Sequence, residues 1–420
     1  MELKPGYKQT EIGVIPEDWH VDPLVCLSTE IGDGIHSTPS YVRSSEFFFV
    51  NGNNLINDSI TITDNTMCVN ESEYKALRKN LTDRTLLLSI NGTIGNVAFY
   101  RGEKVVLGKS AAYINVSREV SRKFISYCLK SWSTAQFFEN ELTGTTIKNL
   151  SLQSLRNTPI PLPPTQEEQR AIAAALSDVD ALIGVLDRLI VKKRDLKQAA
   201  MQQLLTGQTR LPGFSGAWEV KRFGDFGNCL RGVSYKGDAD LSPYDTESTI
   251  RLLRANNIQN AGVVISELQF VNKDCVSSQQ VLMSDDILIC MANGSKDLVG
   301  KAARFNMRDG HCYTFGAFMG CFRVNKGLAQ SIFVSFLFQT GRYRNYIANL
   351  IAGSSINNLR PGDIESLEFI TPPKEEQTTI AAVLSDMDAE IAALEARRDK
   401  TRALKQGMMQ ELLTGRTRLL

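Results

Sequence analysis

The sequence has almost no net charge and no long apolar run. Its 47 Lys and Arg residues nearly balance 46 Asp and Glu residues, which leaves a formal charge of +1 over 420 residues. No overall basic field therefore indicates nucleic-acid binding, although a local basic patch or a larger complex stays compatible with it. No apolar stretch approaches the roughly 18 residues that a membrane-spanning helix needs, so we expect no membrane partner.

Histidine is scarce and the cysteines are scattered. The chain has three histidines and eight cysteines, and no two cysteines form a CxxC pair. Zinc-ligand spacing is therefore absent, and we expect no bound metal. The polar stretch before Trp19 has no apolar core of the kind found in a signal peptide. We therefore expect reduced thiols and a cytoplasmic location.

Motifs for catalysis are also missing. The sequence has no NPPY-like or DPPY-like tetrapeptide for amino-group methylation, no glycine-rich cofactor loop after a strand and no convincing nuclease carboxylate cluster. The segment from Gly102 to Ser110 resembles a phosphate-binding loop, but five residues separate its glycines where that loop has about four. We expect no catalysis by this chain and no cofactor.

The dominant feature that is present is a long repeat. A stretch from about Thr165 to Leu211 recurs from about Lys374 to Leu420 at a constant offset of 208, and more than half of the positions are identical. The identities include the Glu-Glu-Gln segment at 167–169 and the Leu-Leu-Thr-Gly segment at 204–207. A repeat this long must be explained before any shorter motif.

Each copy of the repeat is predicted to form one long helix. Pro163 and Pro164 precede the first copy, and helices rarely continue through two prolines. Thr165 and Glu168 have the spacing of a capping box, and Gly207 suits the left-handed position after a helix. About forty residues at roughly 1.5 Å each give a helix of about 60 Å.

Both helices carry a narrow apolar stripe at helical spacing, so we expect them to pack side by side. The predicted pairing residues are Ile172, Leu176, Val179, Ile183, Leu186 and Ile190 in the first helix and Ile380, Leu384, Met387, Ile391 and Leu394 in the second, whose stripe continues through Leu404, Met408 and Leu412. Alternatively, each helix packs only on its neighbouring domain. On the first reading, Leu176→Asp or Leu384→Asp separates the two helices, because the stripe is withdrawn from water.

Two polar parts of the repeat have alternative interpretations. The charged run Glu395–Arg402 is either a solvated helix face, which we favour, or a polar section that fixes the register of the helix pair. The Glu-Glu-Gln segments either begin the helices or contribute to a docking surface, and these two interpretations are compatible.

The rest of the chain is duplicated more loosely. Trp19 matches Trp218. Asn91-Gly92 matches Asn293-Gly294, and each of these Asn-Gly pairs lies between two predicted strands. Predicted helices at 124–129 and 332–338 correspond, as do the segments 144–150 and 353–359. We predict an α+β fold with globular domains at 1–160 and 212–369 and long helices at 161–211 and 370–420. Two related but different globular domains suit a bipartite, asymmetric target such as DNA.

These motifs resemble the specificity subunit of Type I restriction–modification systems, the HsdS family. The most specific parts are NTPIPLPPTQEEQRAIAAALSDVDALI and FITPPKEEQTTIAAVLSDMDAEI, each followed by LKQ and LLTG. The segments GTTIKNL, GSSINNLRPGDIESL and GDGIHSTPSY are also similar to the family. The resemblance covers essentially the whole chain, and it is firmer for the long helices than for the globular domains.

The resemblance implies a DNA-reading subunit without catalytic activity. Two target-recognition domains would each read one half of a bipartite asymmetric target in double-stranded DNA. The long helices would form an antiparallel coiled coil that sets the spacer between the half-sites. They would also dock two DNA-adenine methyltransferase subunits, and restriction subunits would join the assembly. The alternatives are a coiled-coil adaptor without DNA specificity and, more remotely, a self-sufficient enzyme such as a fused nuclease.

Candidate DNA contacts are polar and basic side chains on loops, because such side chains hydrogen-bond to base edges and phosphates. In the first globular domain they are His36, Ser37, Thr38, Tyr41, Arg43, Asn91, Thr93 and Lys148. In the second they are Arg231, Tyr235, Lys236, Arg254, Asn256, Asn293, Ser295, Lys296 and Arg360. Asn91-Gly92 is better explained as a hairpin turn, and Lys148 and Arg360 are equally well explained as ordinary surface charges.

Overall fold

The structure, a computed structural model, describes residues 5–144, 148–352 and 357–419. The duplicated segments 144–150 and 353–359 therefore lie partly outside the described residues. The chain forms two compact units: Met1–Asp187 with Ala396–Leu420 is the first, and Arg188–Glu395 is the second. Each unit contains one globular region and part of each long helix. The division into four segments at 160, 211 and 369 stays a prediction.

The first unit is built on two sheets. Its strands are β1 (Tyr7–Thr10), β2 (Gly13–Pro16), β3 (His20–Pro23), β4 (Ser28–Asp33), β5 (Tyr41–Val42), β6 (Phe47–Val50), β7 (Leu55–Ile56), β8 (Ser59–Ile60), β9 (Cys68–Val69), β10 (Thr85–Ser89), β11 (Val97–Phe99), β12 (Val105–Leu107), β13 (Ala111–Val116) and β14 (Pro159–Leu162). One sheet has the order β11-β10-β13-β4 and the other β12-β6-β9-β5, while β1-β2, β3-β14 and β7-β8 form separate pairs.

The second unit repeats this plan. Its strands are β15 (Glu219–Arg222), β16 (Gly227–Arg231), β17 (Leu241–Ser242), β18 (Thr249–Leu253), β19 (Ile258–Gln259), β20 (Gly262–Val263), β21 (Gln269–Asn272), β22 (Ile287–Cys290), β23 (Ala302–Arg304), β24 (Tyr313–Phe315), β25 (Met319–Val324) and β26 (Glu368–Thr371). Its sheets β16-β25-β22-β23 and β17-β21-β18-β24 correspond strand by strand to those of the first unit.

Helices lie between and after the strands in both units. They are α1 (Glu71–Leu77), α2 (Arg122–Leu129), α3 (Trp132–Glu141), α4 (Leu152–Arg156), α5 (Gln166–Leu204), α6 (Gly237–Asp240), α7 (Ser331–Leu337), α8 (Gly341–Ala352), α9 (Pro361–Glu365) and α10 (Lys374–Leu412). The predicted α+β class is confirmed, as are the predicted helices near 124–129 and 332–338. In the described part of the chain, no helix is both long and apolar enough to span a bilayer.

The two predicted hairpins are confirmed, but their predicted alignment is wrong by one residue. Strand β10 pairs antiparallel with β11, and β22 pairs antiparallel with β23. The amide of Leu150 donates to the carbonyl of Ile90, and the amide of Leu359 donates to the carbonyl of Met291, both at 2.8 Å. Asn91 therefore corresponds to Ala292 rather than to Asn293, because strand pairing and not local sequence similarity sets the register.

The predicted capping box at the start of α5 is half correct. The hydroxyl of Thr165 accepts the amide of Glu168 at 3.2 Å. The carboxylate of Glu168, however, accepts hydrogen bonds from the guanidinium of Arg418 instead of reaching back to the helix start. At the other end, Gly207 follows the helix with φ at +73°, as its predicted left-handed position requires.

The second unit has an equivalent of this contact between a buried glutamate and an arginine. Glu168 is 2% exposed and pairs with Arg418, while Glu376 is fully buried and accepts from Arg210 at 2.6 and 2.7 Å. A buried carboxylate is costly unless it is paired and hydrogen-bonded. The second glutamate of each repeated Glu-Glu-Gln segment therefore points into the protein. This burial argues against that side chain as part of a docking surface.

The long helices pair antiparallel, as predicted, through ion pairs that the repeat produces twice. In the first unit Asp180 pairs with Lys405 at 2.6 Å and Asp187 with Arg402 at 3.1 Å. In the second unit the counterparts 208 positions away pair in the same way: Asp388 with Lys197 at 2.6 Å and Glu395 with Arg194. The interpretation of Glu395–Arg402 as only a solvated face is therefore wrong, because Glu395 and Arg402 link the helices.

The apolar stripe divides into two parts. Ile172 and Leu176 lie in the core of the first unit together with Leu412 and Leu413, and Ile380 and Leu384 lie in the core of the second together with Leu204 and Leu205. The remaining predicted pairing residues are buried or half-buried: Val179, Ile183, Leu186, Ile190, Met387, Ile391 and Leu394. Leu404 is 59% exposed, so its predicted place in the stripe is wrong.

This division changes the outcome expected for a charge in the stripe. Leu176 and Leu384 are both fully buried within a unit core. An aspartate at either position is therefore expected to unfold that unit rather than merely separate the helices.

A cleaner test of the pairing uses two neighbouring residues of α5. Leu186 is 3% exposed, whereas Val185 is 50% exposed. We predict that Leu186→Ala lowers the free energy of unfolding by about 2–5 kcal/mol, as for other buried leucines. The control Val185→Ala should change it by no more than about 0.5 kcal/mol. Urea unfolding followed by circular dichroism measures both, and equal losses would contradict burial of Leu186 by the helix pair.

Candidate nucleic-acid interface

Backbone hydrogen bonds hold three loops together at the same end of both units. In the first unit the amide of Ile35 donates to the carbonyl of Leu107 at 2.7 Å, and the amide of Gly108 donates to the carbonyl of Val50 at 2.9 Å. The loops after β4, β6 and β12 therefore meet at one edge.

The second unit makes the same two bonds. The amide of Val233 donates to the carbonyl of Phe315 at 2.8 Å, and the amide of Gly316 donates to the carbonyl of Leu253 at 3.0 Å. Ile35 thus corresponds to Val233, and Gly108 corresponds to Gly316. These equivalent hydrogen bonds give both units the same backbone arrangement, which carries different side chains in each unit.

In each unit, a glycine allows two backbone segments of this edge to approach each other closely. A Cβ atom added to Gly34 would overlap the carbonyl of Leu107, and one added to Gly232 would overlap the carbonyl of Gly316. Neither glycine has a positive φ, so close approach to the neighbouring strand, and not turn geometry, requires glycine here.

The loop after β6 or β18 forms the same short turn in both units. The side-chain oxygen of Asn54 accepts the amide of Asn51 at 3.0 Å, and the side-chain oxygen of Asn257 accepts the amide of Arg254 at 2.9 Å. Asn51 and Arg254 therefore occupy equivalent positions at the start of the turn.

Side chains on this common backbone differ between the units. We call these positions the reading edge: His36, Asn51, Lys109 and Ser110 in the first unit, and Ser234, Arg254, Ala317 and Phe318 in the second. In the first unit the hydroxyl of Ser110 donates to the side chain of Asn51 at 2.9 Å. In the second unit, Phe318 is 71% exposed, and Nε of Arg254 is buried without a hydrogen-bond partner among the described residues.

The reading edge of the second unit borders a cavity of about 1150 Å³. Four of the predicted contact residues line it together: Tyr235, Arg254, Asn256 and Asn293. Arg254 donates to the carbonyl of Glu267 at 3.1 Å, which holds the guanidinium at the cavity wall. The cavity therefore combines hydrogen-bond donors and acceptors with one exposed aromatic ring.

The other predicted contacts of the second unit are close in sequence to residues that line this cavity. Lys236 follows Tyr235, Ser295 and Lys296 follow Gly294 of the cavity wall, and Arg360 is the residue before α9. Arg231 ends β16. All five are exposed, and their contact with DNA stays a prediction.

The predicted contacts of the first unit fall into three places. His36, Ser37 and Thr38 are exposed on the loop after β4, while Tyr41 and Arg43 lie on or beside β5, at the sheet edge opposite β12. Asn91 donates to the side chain of Asn149 at 3.4 Å, and Thr93 is exposed on the same loop. Lys148 forms an ion pair with Glu139, which favours its interpretation as an ordinary surface charge.

Sequence reasoning missed part of the reading edge. The predicted contacts do not include Asn51, Lys109, Ser110, Ser234, Ala317 and Phe318. The signal was present in the alignment of VVLGKSAAY with YTFGAFMGC, where the glycine is shared and the next two residues differ. Residues 108–110 connect β12 to β13 and residues 316–318 connect β24 to β25, and connections this short are easily read as ordinary turns.

Comparison with known proteins places both units in one family. A model described as the Type I restriction modification DNA specificity domain matches residues 43–191 and again residues 216–401.

Two curated relatives are similar over different lengths. The Type I restriction enzyme EcoKI specificity subunit of Escherichia coli (strain K12) is 34% identical over 47% of this chain, a match that spans only 42% of that protein. The putative type I restriction enzyme MjaX specificity subunit of Methanocaldococcus jannaschii is 25% identical over 99% of this chain and 97% of its own length.

Solved structures share the fold of the whole chain. The S subunit of a Type I restriction–modification system from M. genitalium matches with a TM-score of 0.58 at 16% identity, over 98% of both chains. A chain from a structure describing complex assembly and conformational transition of a type I restriction–modification system matches with a TM-score of 0.59 at 17% identity, over 96% of this chain and 99% of that one.

The glycine in the reading-edge backbone gives a testable prediction. Gly232→Ala should lower the free energy of unfolding by about 1–3 kcal/mol, because overpacking forces the backbone apart. The matched control is Gly294→Ala on the cavity wall, where an added Cβ meets no atom within 4 Å. Urea unfolding measures both variants, and a Gly232→Ala protein as stable as the control would contradict the close approach described here.

Proposed function

The chain belongs to the family defined by the Type I restriction modification DNA specificity domain, which it carries twice, and from this premise we propose that it reads a bipartite, asymmetric site in double-stranded DNA. Each unit reads one half-site through its reading edge and the adjoining loops.

One observation carries this proposal: the two reading edges share a backbone but not their side chains. Ser110 and Asn51 hydrogen-bond to each other in the first unit, while Phe318 and Arg254 stand at the same positions in the second. Two copies with the same surface would favour a symmetric target. Two copies with a common support and different side chains favour a target whose halves differ.

The side chains of the second reading edge and of the cavity beside it match the chemistry of base edges. An arginine can donate two hydrogen bonds to O6 and N7 of guanine, an asparagine can pair with adenine, and an apolar ring can contact the methyl group of thymine. Arg254, Asn293 and Phe318 supply these three kinds of contact around one cavity. In the first unit, the exposed Lys109 supplies a cation for guanine or for a phosphate.

Catalysis is assigned to partners and not to this chain. The EcoKI relative is named a specificity subunit of a restriction enzyme, and a chain similar to ours comes from a type I assembly. By analogy, the chain is a non-catalytic, cytoplasmic subunit that docks two DNA-adenine methyltransferase subunits through its long helices, with restriction subunits joining them. Exposed apolar side chains on α5 supply contact area for docking, for example Leu182 in the first unit and Leu196 in the second.

Footprinting tests the proposal. The chain is assembled with its methyltransferase partner and bound to a DNA fragment carrying the methylated site. Two protected patches separated by unprotected base pairs support bipartite reading. One continuous protected motif would contradict it, and an absence of sequence-dependent protection would favour a coiled-coil adaptor instead.

A single substitution in the second unit sharpens this test. We predict that Arg254→Gln weakens binding to the cognate site by roughly tenfold or more and relaxes selectivity at one position of one half-site, because a bidentate pair is worth about 1–3 kcal/mol of discrimination. The control Lys221→Gln removes a cation from β15, away from the reading edge. Competition binding against all four bases at each position measures the effect, and equal loss for all sequences would contradict base reading by Arg254.

A further inference from the structure

The first unit contains a second concave surface, which is strongly basic. This cavity of about 450 Å³, which we call the basic pocket, lies where the start of α5 meets the ends of β10 and β13. Its cations are Arg84, Arg101, Arg118, Arg122, Lys123 and Arg170.

Five of these six cations donate hydrogen bonds to neutral groups. Arg84 donates to the carbonyls of Ser117 and Val120, both at 2.6 Å, and Arg122 donates to carbonyls at 3.4 Å. Arg101 and Lys123 donate to serine hydroxyls at 2.9 and 2.5 Å, and Arg170 donates to the side chain of Gln166. Throughout the described residues, the ion pairs include none with these six side chains.

The positive charges in the basic pocket repel one another. Burial lowers the pKa of Arg84, and the nearby charges of Arg118 and Arg170 lower it further, against the opposing effect of Asp83. The pKa of Arg122 is also lowered, by burial and by the charge of Arg84. A bound anion would remove this repulsion.

The equivalent place in the second unit is neutralised by carboxylates. Thr85 hydrogen-bonds the amide of Thr82 at 2.7 Å, and Asp286 does the same for Met283 at 2.8 Å, so Arg84 corresponds to Asp285. Asp285 pairs with Arg304 at 3.3 Å and with Lys326 at 3.5 Å. The common fold therefore does not require a bare cluster of cations at this place.

The basic pocket is separate from the reading edge. Ser110 of the reading edge precedes β13, whereas Arg118 of the basic pocket lies beyond its end, and the six residues of that strand span about 20 Å at roughly 3.3 Å each. An anion held here would therefore not be one of the groups that the reading edge contacts.

We propose that the basic pocket binds clustered phosphate groups. Five of its six cations are arginines, whose planar guanidinium groups bind phosphate oxygens through paired hydrogen bonds. Two sources share this chemistry: a free polyphosphate or nucleotide, and a stretch of nucleic-acid backbone outside the bases that are read. The site is independent of base reading, so the failure of one proposal leaves the other standing.

The first arm of the test titrates the full chain with inorganic tripolyphosphate by calorimetry. Arg118→Gln/Arg170→Gln removes two exposed cations of the pocket and leaves the half-buried Arg84 and Arg122 in place. The matched control is Lys326→Gln/Lys374→Gln, two exposed lysines of the second unit. We expect at least roughly tenfold weaker binding in the pocket variant, because hydrogen bonds to charged groups are lost, and no change in the control.

The second arm uses a short DNA duplex that lacks any target site. If tripolyphosphate does not bind but the pocket variant shows a shallower dependence of duplex affinity on salt, by about one unit of slope per lost phosphate contact, the phosphate source is the nucleic-acid backbone. If the pocket variant, the control and the unsubstituted chain bind both probes alike, the proposal is overturned. Binding only of an acidic peptide in the pocket would overturn it as well.

Discussion

The structure depends on a helix that is complementary to a second copy of itself. Within the first unit Asp180 meets Lys405, and within the second Lys197 meets Asp388, which are the same two repeat positions with the partners exchanged. A substitution at Asp180 therefore breaks one of these pairs and leaves the equivalent pair of the other unit intact. Both helices have the same charged residues at these positions, whereas the loops of the globular regions have different side chains.

Much of this architecture could be predicted from the sequence because its causes are local. The proline pair, the Thr165 hydroxyl and Gly207 bound α5, and the apolar period identifies its buried face. The partner of Glu168 could not be predicted, because Arg418 lies 250 residues away. The hairpin alignment failed for the same reason: Leu150 and Leu359 fix it through strand pairing, whereas the sequence offered only a similar Asn-Gly pair.

The candidate site was predictable in part. Arg254 and Asn293 are polar side chains on loops and are found by that property, but Phe318 is apolar, and Lys109 lies in a three-residue connection between β12 and β13. Only the shared backbone shows that such dissimilar residues occupy equivalent positions. The net charge of +1 gives no sign of the basic pocket, because a sum over the whole chain does not show where charges cluster.

Exchange of the reading-edge side chains between the units tests the central claim most directly. The variant His36→Ser/Asn51→Arg/Lys109→Ala/Ser110→Phe gives the first unit the reading-edge side chains of the second. The variant and the unsubstituted chain, each assembled with the methyltransferase partner, are used to select bound duplexes from a library randomised in both half-sites. If the reading edge specifies the bases, the selected sequence of one half-site changes and that of the other is retained. Selection of the original sequence in both half-sites by the folded variant would contradict the account.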